Sequence, residues 1–84
     1  MTWPQHKNPA YEPKTDVQKL AHLVEECGEV MAAAGKTLRW GLDSYNPEVP
    51  VSERETNQEW LLREIADLEL AIANAKAMLL QPRQ

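Results

Sequence analysis

The apolar positions of residues 17–38 fall at Val17, Leu20, Val24, Cys27, Met31, Ala34 and Leu38, an unbroken alternation of three- and four-residue steps. That spacing predicts an amphipathic helix whose seam packs on other helices. Thr15 and Gln18 make a Thr-x-x-Gln capping box in front of it, and Asp16 suits the positive end of the helix dipole. Gly41 is placed to stop the helix, and Lys36 and Arg39 suit its negative end. The prediction is a helix over 15–40. A second seam, Leu61, Ile65, Leu68, Ile72, Ala75 and Leu79, predicts a helix over 57–80 that Pro82 ends. Two capping boxes compete for its start, Ser52-x-x-Glu55 and Thr56-x-x-Glu59. Another stripe on this helix, Leu62, Ala66, Leu70, Ala73, Ala77 and Leu80, covers a second flank. One helical partner cannot bury both, so the chain is expected to pair with copies of itself as a homodimer or homotetramer.

Outside the helices the pattern breaks. Pro4, Pro9 and Pro13, with Trp3 and Tyr11 between them, predict an extended arm over 1–14 that lies on the body or on a partner. The connection 41–56 has turn signals at Gly41, Asp43, Asn46, Pro47 and Pro50. Its Leu42, Tyr45, Val49 and Val51 favour a connection ordered against the body. The expected fold is one all-α domain over 1–84: two long helices and an arm, completed as a four-helix-type bundle by oligomerisation.

Charge narrows the function. Thirteen acidic against nine basic residues give net −4 at pH 7, which disfavours non-specific nucleic-acid binding. The first residues are polar and proline-bearing, and no apolar run approaches the roughly 20 residues of a membrane span. The expected location is the cytoplasm, with no membrane partner. The single cysteine, Cys27, rules out an intrachain disulfide and reads as a small seam residue. Met31 and Met78 read as core filler.

The acidic residues are not evenly spread. Glu25, Glu26 and Glu29 crowd five positions, and like charges four apart destabilise a helix by a few tenths of a kcal/mol. Gly28 adds roughly 1 kcal/mol of helix cost against alanine. A cation at this stretch makes sense of the arrangement. At 100° per residue, Glu26 and Glu29 share a stripe with His22, Ala33 and Lys36, away from the 17–38 seam. On the second helix Glu64 and Asp67 form a comparable pair, on a stripe that Trp60 starts and Asn74 continues. Laid antiparallel, the helices bring the two pairs together as an all-oxygen site suited to Mg²⁺ or Mn²⁺. Solvated surface, or pairing of Glu64 and Asp67 with Arg63 or Lys19, is the plainer alternative. His22, on the acidic stripe, reads as a surface or capping residue ahead of a phosphate contact, and His6 carries no signal. Trp40, Tyr45 and Trp60 are packing residues or base-stacking platforms, with Trp60 the best placed to stack.

Glu25-Glu26-x-x-Glu29 followed by Glu64-x-x-Asp67 resembles the metal signature of the all-α, MazG-like nucleoside triphosphate pyrophosphohydrolases. Glu25-Glu26-Cys27-Gly28-Glu29-Val30 with Lys36-x-x-Arg39-Trp40-Gly41-Leu42-Asp43 looks like the small phage-type members. Asp67, Asn74 and Lys76 look like the Asp…Asn-x-Lys/Arg run of longer ones. The resemblance covers roughly residues 15–80. It implies Mg²⁺-dependent hydrolysis of a nucleoside triphosphate between the α- and β-phosphates. Glu26, Glu29, Glu64 and Asp67 would then hold the metal, and Glu25, Glu26 and Glu29 are the expected catalytic carboxylates, Glu25 as a further ligand or orienting the attacking water. Lys36 and Arg39 would neutralise the leaving pyrophosphate, Asn74 would bind phosphate or base, and Trp60 completes the expected substrate contacts. A connection longer than in many relatives separates Glu29 from Glu64, so the halves are either joined differently or swapped between chains. Two other readings stay open: a phosphoribosyl-ATP pyrophosphohydrolase-like activity, and a non-catalytic dimerisation or adaptor module whose acidic face binds a basic partner.

Overall fold

A computed structural model describes residues 12–82 of the chain. It is all-helical. Helix α1 spans Asp16–Trp40 and helix α2 Asn57–Leu79, and the two pack on each other as a hairpin. The expected proline-bearing arm, with Trp3, His6 and Tyr11, falls outside the described residues apart from positions 12–14, which have no regular structure.

Each helix begins where its side chains can satisfy the first free N–H groups. Thr15 accepts from the Gln18 backbone N–H at 3.1 Å while the Gln18 side chain accepts from the Thr15 N–H at 3.2 Å. At α2 the competition between caps resolves in favour of Thr56. Its hydroxyl accepts from the Glu59 N–H at 3.2 Å, and Glu59 accepts from the Thr56 N–H at 3.0 Å. That backbone donor holds the Glu59 carboxyl below the usual carboxylate range. Ser52 instead lies in a short 3₁₀ turn, Val51–Glu53. Gly41, at φ 94°, occupies the left-handed half of the map that glycine tolerates, and its N–H closes α1 on the Thr37 carbonyl at 2.8 Å.

The connection is ordered, but by polar groups more than by its apolar ones. Leu42, Tyr45 and Val51 stay exposed. Arg54 donates to the carbonyls of Val49 at 2.8 Å and Pro47 at 3.0 Å and lies over the Tyr45 ring. Asn57, buried at the start of α2, donates to the Gly41 carbonyl at 2.9 Å and the Lys36 carbonyl at 3.4 Å. It thereby ties the free end of α1 to the head of α2, a role nothing in the residue pattern marked out.

The face by which α1 meets α2 is not its apolar seam. The residues buried on α1 are His22, Glu26 and Ala33, while Val24, Met31 and Leu38 are 72, 73 and 89 % exposed. The expectation that Cys27 and Met31 are core residues is therefore corrected: both are exposed within the chain. On α2 the buried line is Asn57, Glu64, Asp67, Ala71, Ala75 and Met78, so Met78 is core, with Leu61 and Leu68 half-buried beside it. Ile65, Ile72 and Leu79 of the expected seam lie on its exposed edge. Among the described residues, no helix is long and apolar enough to cross a membrane.

Candidate metal centre

The carboxylates that the spacing set on one side of each helix meet between them. Glu26 and Glu29 from α1 and Glu64 and Asp67 from α2 each bring an oxygen to within 4.8 Å of the others. Oxygens bound to a single Mg²⁺ at about 2.1 Å lie roughly 3 to 4.2 Å apart across an octahedron, so this spread is close to one ion's coordination shell. The donor set is hard and anionic, which fits Mg²⁺ or Mn²⁺ and not a thiolate-preferring metal. All four oxygens come from a single chain, so the long connection does not require a swap to complete the cluster.

Burial makes the cluster costly without a counter-charge. Glu26 has no solvent exposure, and Glu64 and Asp67 are buried; Glu29, half-buried, stands at the mouth. Carboxylates taken out of water and pressed together favour the protonated form of one of them. Here that one is Glu29. Its hydrogen bond with Glu64, then its burial, then its contact with Glu26 push its pKa up to about 7.

Two cationic or ionisable neighbours border the cluster. His22 Nε2 lies 3.3 Å from Glu26 Oε1, one turn back along α1, so His22 is buried against the site instead of standing on the surface as expected. Arg63 reaches Glu64 Oε1 at 2.9 Å with one nitrogen and Glu55 of the connection at 2.7 Å with another. The possible pairing of Glu64 with Arg63 is thus realised, alongside the cluster and not in place of it.

The remaining expected site residues sit apart. Glu25 is exposed on α1 and does not belong to the cluster. Lys36 and Asn74 share the stripes of Glu29 and Asp67, but in an antiparallel hairpin they lie at opposite ends. The Lys36 carbonyl is level with Asn57, and Asn74 lies 17 residues further along α2, about 25 Å at 1.5 Å per residue. One triphosphate cannot touch both within one chain. Arg39 lies over the neighbouring Trp40 ring at the exposed end of α1. Trp60 is half-buried one turn before Glu64.

The fold and the cluster define a class of molecule, an all-α hairpin carrying a four-carboxylate centre between its helices. In comparisons with family models, with curated proteins and with solved structures, nothing matches the chain.

Proposed function

We propose that the protein is a Mg²⁺-dependent nucleoside triphosphate pyrophosphohydrolase, releasing a nucleoside monophosphate and pyrophosphate. The observation that carries this reading is the convergence of Glu26, Glu29, Glu64 and Asp67 within 4.8 Å on facing helices, three of them buried. A hairpin that buries carboxylates where leucines would stabilise it more has a use for their charge. The proposed holders of the ion are these four residues. Held by them, a divalent cation would supply the positive charge that lets carboxylates and phosphates approach and would make a water nucleophile more acidic. Arg63 anchors the Glu64 carboxylate from outside, and His22 fixes one oxygen of Glu26. Glu29, half-buried and with its pKa pushed up to about 7, is the carboxylate that would have to give up a proton to serve as a ligand.

Lys36 is the cation best aligned with Glu29, two turns toward the connection, and is the proposed contact for the departing pyrophosphate; Arg39 is displaced from that role by its position at the helix end. The adaptor reading, with an acidic face offered to a basic partner, is weakened by burial, since Glu26, Glu64 and Asp67 are beyond the reach of a docking surface.

The experiment is incubation of the protein with a panel of nucleoside triphosphates and phosphoribosyl-ATP in the presence of Mg²⁺. Pyrophosphate, not orthophosphate, is the expected product, and Glu29→Gln is expected to lower its release at least 100-fold with helicity retained. Full release by that variant refutes the metal assignment. An absence of Mg²⁺ and Mn²⁺ binding to millimolar concentration in calorimetry returns the reading to the adaptor.

A further inference from the structure

Two of the four clustered carboxylates are approached by a basic side chain, each at one oxygen. His22 Nε2 stands 3.3 Å from Glu26 Oε1, and Arg63 Nη1 stands 2.9 Å from Glu64 Oε1. His22 and Glu26 share a helix face, four residues apart. Arg63 and Glu64 do not: consecutive residues point about 100° apart, so an arginine here would ordinarily leave its neighbour for solvent. Glu55 keeps it in place. Its two oxygens accept from Arg63 Nη2 at 2.7 Å and from Nε at 3.3 Å, a fork that fixes the guanidinium plane and leaves Nη1 for Glu64. Glu55 is free to do this because Thr56 and Glu59 take the cap of α2 for which Ser52 and Glu55 compete in the sequence. Arg63 and Glu55 are 46 and 38 % exposed, whereas Glu64 is buried, so the relay runs from the surface into the cluster.

A carboxylate can meet a divalent ion with one oxygen or with both. Ca²⁺ takes both readily, since it accepts about six to eight oxygens at roughly 2.3–2.6 Å in loose geometry. Mg²⁺ holds to an octahedron at about 2.1 Å. The oxygens of one carboxylate, about 2.2 Å apart, are too close for two of its corners, which are roughly 3 Å apart. An ion that used Glu64 Oε1 as well as Oε2 would stand within roughly 5 Å of Arg63 Nη1, the 2.9 Å contact plus one metal–oxygen distance, where like charges repel. Arg63 therefore leaves Glu64 one oxygen to give. His22 stands in the corresponding place at Glu26.

We propose that Arg63, held by Glu55, is a metal-selecting residue: it restricts Glu64 to a single oxygen toward the ion and so favours Mg²⁺ over Ca²⁺. The role is one of positioning, since Arg63 acts through Glu64 and touches no ion. It gives a use to a forked contact between exposed side chains, which as an ion pair alone contributes little to stability. The proposal rests on the metal-holding part of the reading above and on none of its substrate chemistry.

Calorimetric titration of Mg²⁺ and of Ca²⁺ tests this through the ratio of the two dissociation constants, Ca²⁺ over Mg²⁺, in each protein. Arg63→Ala is expected to lower the ratio at least fivefold, because Ca²⁺ gains an oxygen that Mg²⁺ cannot use. Glu55→Gln is expected to lower it at least twofold, and to add nothing in the Arg63→Ala background, where the relay is already broken. Lys76→Gln removes a positive charge about 18 Å further along α2 and is expected to leave the ratio unchanged. A ratio that Arg63→Ala leaves intact overturns the proposal while the metal reading stands. A further drop from Glu55→Gln in the Arg63→Ala background, or an equal drop in Lys76→Gln, overturns it too. If the unaltered protein binds neither ion, both readings fall. If circular dichroism shows Arg63→Ala unfolded, Glu55→Gln decides alone, and an unchanged ratio in it overturns the proposal.

Discussion

At the scale of single residues, Glu29 gives the site a pH signature. Its pKa is raised from 4.5 to about 7 in the folded chain, chiefly by Glu64. The folded state then binds more protons than the unfolded state across that interval, so stability falls as pH rises from about 4.5 through 7. The contribution is fully present below the unfolded value and lost above the folded one. Thermal melts of the metal-free protein followed by circular dichroism are expected to show this decline. Glu29→Gln, neutral at every pH, is expected to flatten it. Mg²⁺ favours the ionised form, so its stabilisation should grow over the same interval. Arg63 makes a second residue-scale prediction. Its guanidinium lies 2.9 Å from Glu64 and holds that carboxylate from outside the cluster, with Glu55 on its other side. Arg63→Ala should lower the affinity for free Mg²⁺ severalfold in calorimetry, because it frees the Glu64 side chain; a higher affinity would show that Arg63 competes with the ion instead.

At the scale of elements, the start of α2 is set by one of two similar sequences. Thr56→Ala is expected to cost about 1 kcal/mol in denaturant unfolding, the usual cost of losing a cap, and Ser52→Ala close to nothing. The contrast follows from the hydrogen bonds of Thr56 to Glu59 and from the place of Ser52 in the 3₁₀ turn. Much of the site was legible in the same local way. Carboxylates three residues apart share a helix face whatever the rest of the chain does, so the pairing of Glu26 and Glu29 with Glu64 and Asp67 needed only two antiparallel helices. What each helix packs against was not legible. Val17 to Leu38 declare by their apolarity that a surface is to be buried, but hydrophobicity carries no direction and names no partner. Within the chain α1 turned its polar stripe inward, and Cys27 and Met31, expected in the core, stayed outside. The separation of Lys36 from Asn74 was hidden for a related reason. Each follows a carboxylate by seven residues on its own helix, and antiparallel packing sends those equal offsets in opposite directions.

At the scale of the whole molecule, metal binding and pairing with a second copy through the exposed apolar seams make a joint prediction, because they would use opposite sides of one hairpin. The cluster's four carboxylate oxygens all come from one chain, and the exposed apolar seams lie across the helices from the cluster mouth. A ligand shifts an association equilibrium only by its differential affinity for the free and associated forms. Neither form here adds or removes a carboxylate at the other's site, so Mg²⁺ should leave the dimer dissociation constant unchanged within about threefold. Sedimentation equilibrium with and without saturating Mg²⁺ measures this. Protein concentration and Mg²⁺ should each raise the melting temperature by mass action, because both association and ion binding favour the folded state. Their free-energy contributions should add, as they do for distant sites without shared partners. A dissociation constant that tightens tenfold or more with Mg²⁺ would instead show that the second chain touches the cluster. The two hairpins would then be meeting through their acidic sides, and the stacking of apolar sides would be the wrong assembly.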